Sequence, residues 1–307
     1  MLRTAALFVL SACLAAGQLE YRTITDRVPR AKPPLERIGK AGSIVQDPVY
    51  NTRILRVTDG RTNPDGAPCV TAAAAFQNTW NADSTRFVAM CGGAIAFRFD
   101  PASLKARISD DMVDLRETPA FSFADPDLLY GIGASPGASR SIVEYNAKRR
   151  EYRTLLDLDH VAKDFEGIPG LLTLSANDRM AVAFGGIQDT WRYVLVFDKR
   201  TGGKTLLDTR AAAIDGEPAG FPMNFGVHLV NIDKSGRYVV ISKGQDSKAP
   251  NLLVWDTQEN EFAEVAPEGA GHYATGWGKL VNNSGTFPYW AQWMLRPLAP
   301  ESIGDFE

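Results

Sequence analysis

Histidine and cysteine are scarce: the 307-residue chain holds three of each. No His-Glu-x-x-His pair and no Gly-x-x-x-x-Gly-Lys-Ser/Thr loop occurs, which removes the zinc-protease and phosphate-loop signatures. Neither sign of charge dominates, since 33 basic residues face 36 acidic ones for a formal net charge of -3. A surface built to neutralise phosphates needs a basic excess, so nucleic acid is excluded as the partner. Amphipathic helical patterning of any length is also missing. A doubly wound α/β sheet, whose parallel strands need helical crossovers, is thereby disfavoured.

What is present suits a folded core, with 45% hydrophobic and 22% charged residues. The opening "MLRTAALFVLSACLAAGQ" places Arg3 before an apolar run that ends in small residues, the pattern of an export signal over 1–17 and too short for a permanent membrane anchor. Two processing readings stand. Leu10-Ser11-Ala12-Cys13 resembles a bacterial lipobox, which would make a lipid on Cys13 the tie to a membrane; Ala15-Ala16-Gly17 offers ordinary cleavage. The expected location is the periplasm or the exterior. Cys69 and Cys91 then remain, either as a disulfide or as two small buried residues. Residues 18–50 carry four prolines between Pro29 and Pro48 and read as an extended lead-in.

From residue 51 to residue 307 one unit recurs. A turn leads into an apolar strand in "NADSTRFVAM", "ADPDLLYGIG", "SANDRMAVAF" and "NIDKSGRYVVIS". Asp, Asn, Ser and Gly sit where a tight turn needs local side-chain bonding or positive φ. Behind each turn a strand ends in an aromatic and a short polar residue: Phe99-Asp100, Tyr145-Asn146, Phe197-Asp198 and Trp255-Asp256. These marks lie about 46, 52 and 58 residues apart, near the length of a four-stranded propeller blade with variable loops. A further strand follows each mark in "KARIS", "YRTLLDL", "KTLLDT" and "FAEVA".

"DKSGRYVVIS" followed by "LLVWDTQ" resembles the repeats of TolB-like and WD-repeat-like β-propellers, and the resemblance covers Thr71 to Glu264. It departs from their consensus, because only the fourth unit keeps Ser235-Gly236 and Trp255-Asp256 is the only Trp-Asp pair. The implied fold is all-β, a propeller of four-stranded antiparallel blades with five blades visible, or else part of a six- to eight-bladed ring. A fifth, weaker unit runs through "GHYATGWGKLVNN" and "YWAQWMLRPL" and lacks an outer strand, which "TRILRVTDG" (Thr52 to Gly60) is expected to supply.

Candidate chemistry is thin. Gly133-Ala134-Ser135-Pro136-Gly137 matches a nucleophile elbow, but the chain runs on into a strand where the elbow needs a helix, so Ser135 reads as a loop residue. "NPDG" from Asn63 to Gly66 reads as a turn and Asn282-Asn283-Ser284 as a loop. Trp255 is expected in the core, whereas Trp80, Trp277 and Trp290 are candidates for surface recognition. His160 falls in a polar connection. His228 and His272 occupy innermost-strand positions of consecutive units, which places a ligand site around Asn224, His228, His272 and Tyr273 at one mouth of a central channel. Glycines in "PMNFGVH" and "GAGHYATG" are expected to let backbone approach a ligand. The expected function is an exported binding or scaffolding module for a protein or carbohydrate ligand, needing no cofactor. The alternative is a propeller lyase or hydrolase acting on carbohydrate or peptide, with a divalent metal held by the histidines.

Overall fold

The structure is a computed structural model, described here for residues 28, 38–63, 65–66, 68–71, 78–116, 119–163, 165–167, 169–244, 252–265, 273–275, 279–283 and 293–297. The export signal, Cys13 and His272 lie outside the described residues, as do Trp277, Trp290 and Ser284. Among the described residues regular structure is almost all strand, with one 3-10 turn at Leu158–His160. No helix among the described residues is long and apolar enough to cross a membrane.

The chain divides into two compact units, 1–57 and 58–307. In the first, β1 (Ile44–Gln46) and β2 (Arg53–Leu55) form an antiparallel hairpin with Val45 opposite Ile54. The lead-in thus contributes a strand, and Arg53–Leu55 of "TRILRVTDG" pairs with it in a two-stranded sheet. Asp47 explains the local choice: its carboxylate accepts the amides of Val49 and Tyr50, closing a turn that brings the two segments together.

The second unit is a succession of antiparallel meanders whose strand order follows the chain. The first sheet runs β3 (Val70–Thr71), β4 (Arg86–Met90), β5 (Ala94–Asp100) and β6 (Lys105–Val113). The second runs β7 (Ala120–Phe121), β8 (Leu128–Ile132), β9 (Ser141–Asn146) and β10 (Glu151–Asp157). The third comprises β11 (Leu172–Leu174), β12 (Arg179–Phe184), β13 (Tyr193–Asp198) and β14 (Lys204–Asp208), extended by the short β15 (Ala213–Ile214) and β16 (Glu217–Pro218). The fourth is β17 (Val227–Ile232), β18 (Tyr238–Lys243), β19 (Leu252–Asp256) and β20 (Glu261–Val265). Three strands form the fifth: β21 (Tyr273–Thr275), β22 (Lys279–Asn283) and β23 (Trp293–Pro297). These are the expected blades of a β-propeller.

The recurring turn has one chemical explanation. Asn81, Ser122, Ser175 and Asp233 each open the turn before the second strand of a sheet, and each side-chain oxygen accepts a backbone amide further along, that of Arg86, Asp125, Arg179 and Tyr238 at 2.9, 2.9, 2.9 and 3.0 Å. The polar residue closing each third strand works alike. Asp100, Asn146, Asp198 and Asp256 accept the amides two residues on, at 3.0, 3.1, 2.9 and 3.0 Å. Leu104, Arg150, Gly202 and Asn260 then supply the positive φ that starts the fourth strand.

Burial pushes the Asp256 carboxyl up, but Arg237 at 2.5 Å and the amides of Gln258 and Glu259 outweigh it and hold the group below the usual carboxylate range. A depressed acid stabilises the fold above its unfolded value and ceases to do so as pH falls through the folded one. Asp256→Asn is therefore expected to be less stable than the parent at pH 7, with the gap closing below about pH 4. Urea unfolding at the two pH values checks this, and a gap of constant size would refute it.

Apolar faces meet between successive sheets. Val88, Ala96, Leu129 and Tyr145 fill the first junction, Tyr130, Ile142, Met180 and Leu195 the second, and Val194, Val196, Val239 and Trp255 the third. Turns also tie neighbours together, as in Asn81 Nδ2 to the Pro126 carbonyl at 2.9 Å and the Ala176 amide to the Lys234 carbonyl at 3.0 Å. Cys69 and Cys91 are disulfide-bonded. The reason is register, since Val70 opposite Met90 puts the next residue of each strand face to face.

Candidate functional site

First strands of neighbouring sheets lie side by side: the Thr173 hydroxyl accepts the Ile232 amide at 3.0 Å, and the Thr275 hydroxyl donates to the Ile232 carbonyl at 3.0 Å. β11, β17 and β21 are thus consecutive inner strands. At the N-terminal end of β17 the pairing with β18 slips, because Val227 faces Lys243 while Leu229 faces Ser242. His228 is the extra residue of this bulge, and a bulge re-aims the side chain it carries.

Within the connection from β12 to β13, the stretch from Gly185 to Thr190 folds over that end. Gly185 and Gly186 take φ of 80° and 128°, and Asp189 takes 74°, so three of six residues adopt conformations that cost most side chains energy. The loop is held by the Gly186 amide on the Glu166 carbonyl at 2.7 Å and by the Val227 amide on the Trp191 carbonyl at 2.7 Å. Gly226 and Gly244 leave room for it, because a Cβ on either would lie 2.3 or 1.9 Å from the Asp189 carbonyl oxygen. The outcome is a contact of 2.6 Å between Asp189 Oδ1 and His228 Nδ1, with each side chain 32% exposed. A carboxylate is an acceptor, so Nδ1 carries the proton of this pair, and in the neutral ring Nε2 presents a lone pair.

The structure brings some predicted residues together and leaves others apart. Asn224 lies four residues before His228 on the exposed approach to β17, its Oδ1 3.5 Å from Arg210 Nη1. Tyr273 opens β21, the inner strand next to β17. Asp189 was not legible in the sequence as a partner. Its one signal was the Gly-Gly pair before it, which marks a loop able to adopt unusual backbone angles. The glycine at 226 was expected to let backbone approach a ligand; what approaches it here is the protein's own loop.

Other candidates resolve plainly. His160 is 81% exposed at the side chain. Ser135 lies in the hairpin between β8 and β9 with its hydroxyl on Asp114, and "NPDG" closes as a turn through the Gly66 amide and the Asn63 carbonyl. Trp255 is fully buried, while Trp80 is 40% exposed and packs on Phe87 and Phe99. Asn282 and Asn283 end strand β22. Among the described residues no three His, Cys, Asp or Glu side chains come close enough to hold a metal ion.

A second polar cluster lies between the second and third sheets. Asp178 accepts from Ser122 Oγ at 2.7 Å, Tyr130 Oη at 3.1 Å and the Phe123 amide at 3.2 Å. Lys199 touches the Tyr130 hydroxyl and reaches Glu144 and Asp178 at 3.3 and 3.6 Å. Burial, then the Asp178 and Glu144 charges, push the Tyr130 hydroxyl far above its ordinary range. Every group here is partnered and nearly closed to solvent, which suits a tie between sheets.

No protein-family model and no curated protein matches the chain. Solved structures do match. TolB from Acinetobacter baumannii is 7% identical with a TM-score of 0.42, over 83% of this chain and 56% of that one. An oligogalacturonate lyase in complex with manganese is 12% identical with a TM-score of 0.43, over 78% and 77% of the two chains. An oligogalacturonate lyase from Vibrio parahaemolyticus is 9% identical with a TM-score of 0.46, over 78% and 61%. These are likenesses of fold alone. The assignment of the fold as a β-propeller rests on the blade topology and its turn chemistry.

Proposed function

We propose that the protein is an exported propeller module that binds a protein or carbohydrate ligand at the end of the inner strands where Asp189 and His228 meet. The observation that carries this is the Asp189–His228 pair, set on a bulge under a loop that two glycines make room for. Backbone held in costly conformations over a partly exposed, oriented imidazole is a pattern of functional sites more than of stable cores. With Nδ1 engaged, Nε2 of the neutral ring accepts a hydrogen bond from a ligand hydroxyl or amide, and Asn224, on the exposed approach to β17, and Tyr273, on the neighbouring inner strand, are the further candidates.

A thermal-shift screen with acidic oligosaccharides and divalent metal ions tests the site on the parent, His228→Ala and Asp189→Asn. A ligand at about 100 times its Kd stabilises the parent by about 2.7 kcal/mol. Losing one charge-assisted contact is expected to weaken binding about tenfold in either variant. A ligand that stabilises all three proteins equally places the site elsewhere. Stabilisation of the parent by a metal alone, lost in His228→Ala, would replace the binding module by a metal-dependent enzyme.

A further inference from the structure

Across the first sheet, three arginines stand directly opposite one another: Arg86 on β4 faces Arg98 on β5, and Arg98 faces Arg107 on β6. Cross-strand partners share a face and adjacent strands lie about 4.8 Å apart, so three guanidinium stems are stacked within about 10 Å. Like charges in this position repel, and a sheet gains nothing from the arrangement by itself. The face they share is the one turned to the second sheet, since Val88 and Ala96, two residues along, pack there against Leu129 and Tyr145.

Among the described residues the carboxylates nearby do not balance this charge. Asp127 reaches Arg86 Nη2 at 3.6 Å. Asp83 is engaged by Thr85, and Asp100 by Ser103 and Ala102, each tied into its own turn. Arg86 is 9% exposed, and its Nη1 is buried without any hydrogen-bond partner. Burial and the Arg98 charge pull the Arg86 guanidinium below its ordinary range, against the partial support of Asp127 and Asp83. Arg98 and Arg107 are exposed at the open end of the row. From the second sheet Arg150 crosses the seam, its Nη2 donating to the carbonyl of Ser109, two residues beyond Arg107.

We propose that Arg86, Arg98 and Arg107 form a binding site for a tetrahedral oxyanion, a phosphate or sulfate group, in the seam between the first and second sheets. An anion bridging Arg98 and Arg107 receives donors from two planar forks at once, the geometry in which guanidinium recognises oxyanions best. Arg86 supplies a further charge at the closed end of the row, where water screens least. The site is separate from the Asp189–His228 pair, and neither depends on the other.

The test is a thermal melt of the purified protein at low ionic strength, titrated with sodium phosphate, with sodium sulfate, and with sodium chloride matched in ionic strength. Phosphate or sulfate raises the parent's midpoint beyond the chloride control, and the stronger of the two identifies the group the site prefers. Arg98→Gln and Arg107→Gln each weaken the oxyanion about tenfold, while Arg200→Gln on the third sheet leaves it unchanged. Because Arg98→Gln also removes repulsion, it melts above the parent in chloride and below it once phosphate saturates. Parallel curves for parent and Arg98→Gln across the titration, or midpoints that follow ionic strength alone, overturn the proposal.

Discussion

Asp178→Ala is expected to lower the melting temperature by about 10 °C, from a loss of about 3–5 kcal/mol at about 2–4 °C per kcal/mol for a domain of this size. The carboxylate is 4% exposed and anchors the turn of the third sheet to the second through Ser122, Phe123 and Tyr130. Removing it strands these three donors and leaves the Lys199 ammonium to share Glu144, which Arg153 already holds at 2.8 Å. Asp178 also sits at φ 61°, where alanine is strained and asparagine is tolerated. Asp178→Asn keeps an acceptor and the backbone angle, so it should lose roughly half as much. Lys199→Met placed on Asp178→Ala removes the uncompensated charge and should recover part of the loss. Calorimetry of the parent, Asp178→Ala, Asp178→Asn, Lys199→Met and the double variant checks the series. Full additivity of the two changes would mean that the ion pair contributes nothing.

The blades were legible because their turns follow a local code. Asn81, Ser122, Ser175 and Asp233 bond amides within a few residues, so the side chain that makes each turn is visible beside the strand it starts. Asp100, Asn146, Asp198 and Asp256 are visible for the same reason. The hairpin of β1 and β2 was missed where that code is a single Asp47 amid prolines, and because strand partnership is a long-range choice that the apolar pattern of "TRILRV" leaves open. The disulfide needed a register that Val70–Thr71, a strand of two residues, scarcely displays. At the site, His228 could be picked out by its place in the repeat. Asp189 could not, since 39 residues separate it from the imidazole and only the folded loop joins them.

Gly244→Ala is the sharpest probe of that loop. Its Cβ would fall 1.9 Å from the Asp189 carbonyl oxygen and 2.7 Å from the carbonyl carbon, both backbone atoms that no rotamer change can move away. The Gly185–Thr190 loop must lift, at an overpacking cost of about 3 kcal/mol or more. Lifting it draws Asp189 off His228, so the variant loses the oriented imidazole along with stability. Gly226→Ala, at 2.3 Å from the same oxygen, should act in the same direction. Gly202→Ala is the contrasting case: φ is 73° but nothing lies within 4 Å, so it pays about 1 kcal/mol for backbone strain and leaves the pair alone. The ring-nitrogen signals of His228 separate the two effects in protein that remains folded. In the parent and Gly202→Ala, Nδ1 should carry the proton, as the 2.6 Å contact to Asp189 requires. In Gly244→Ala that preference should disappear, and an unchanged Nδ1–H signal would show that the loop is not what orients His228.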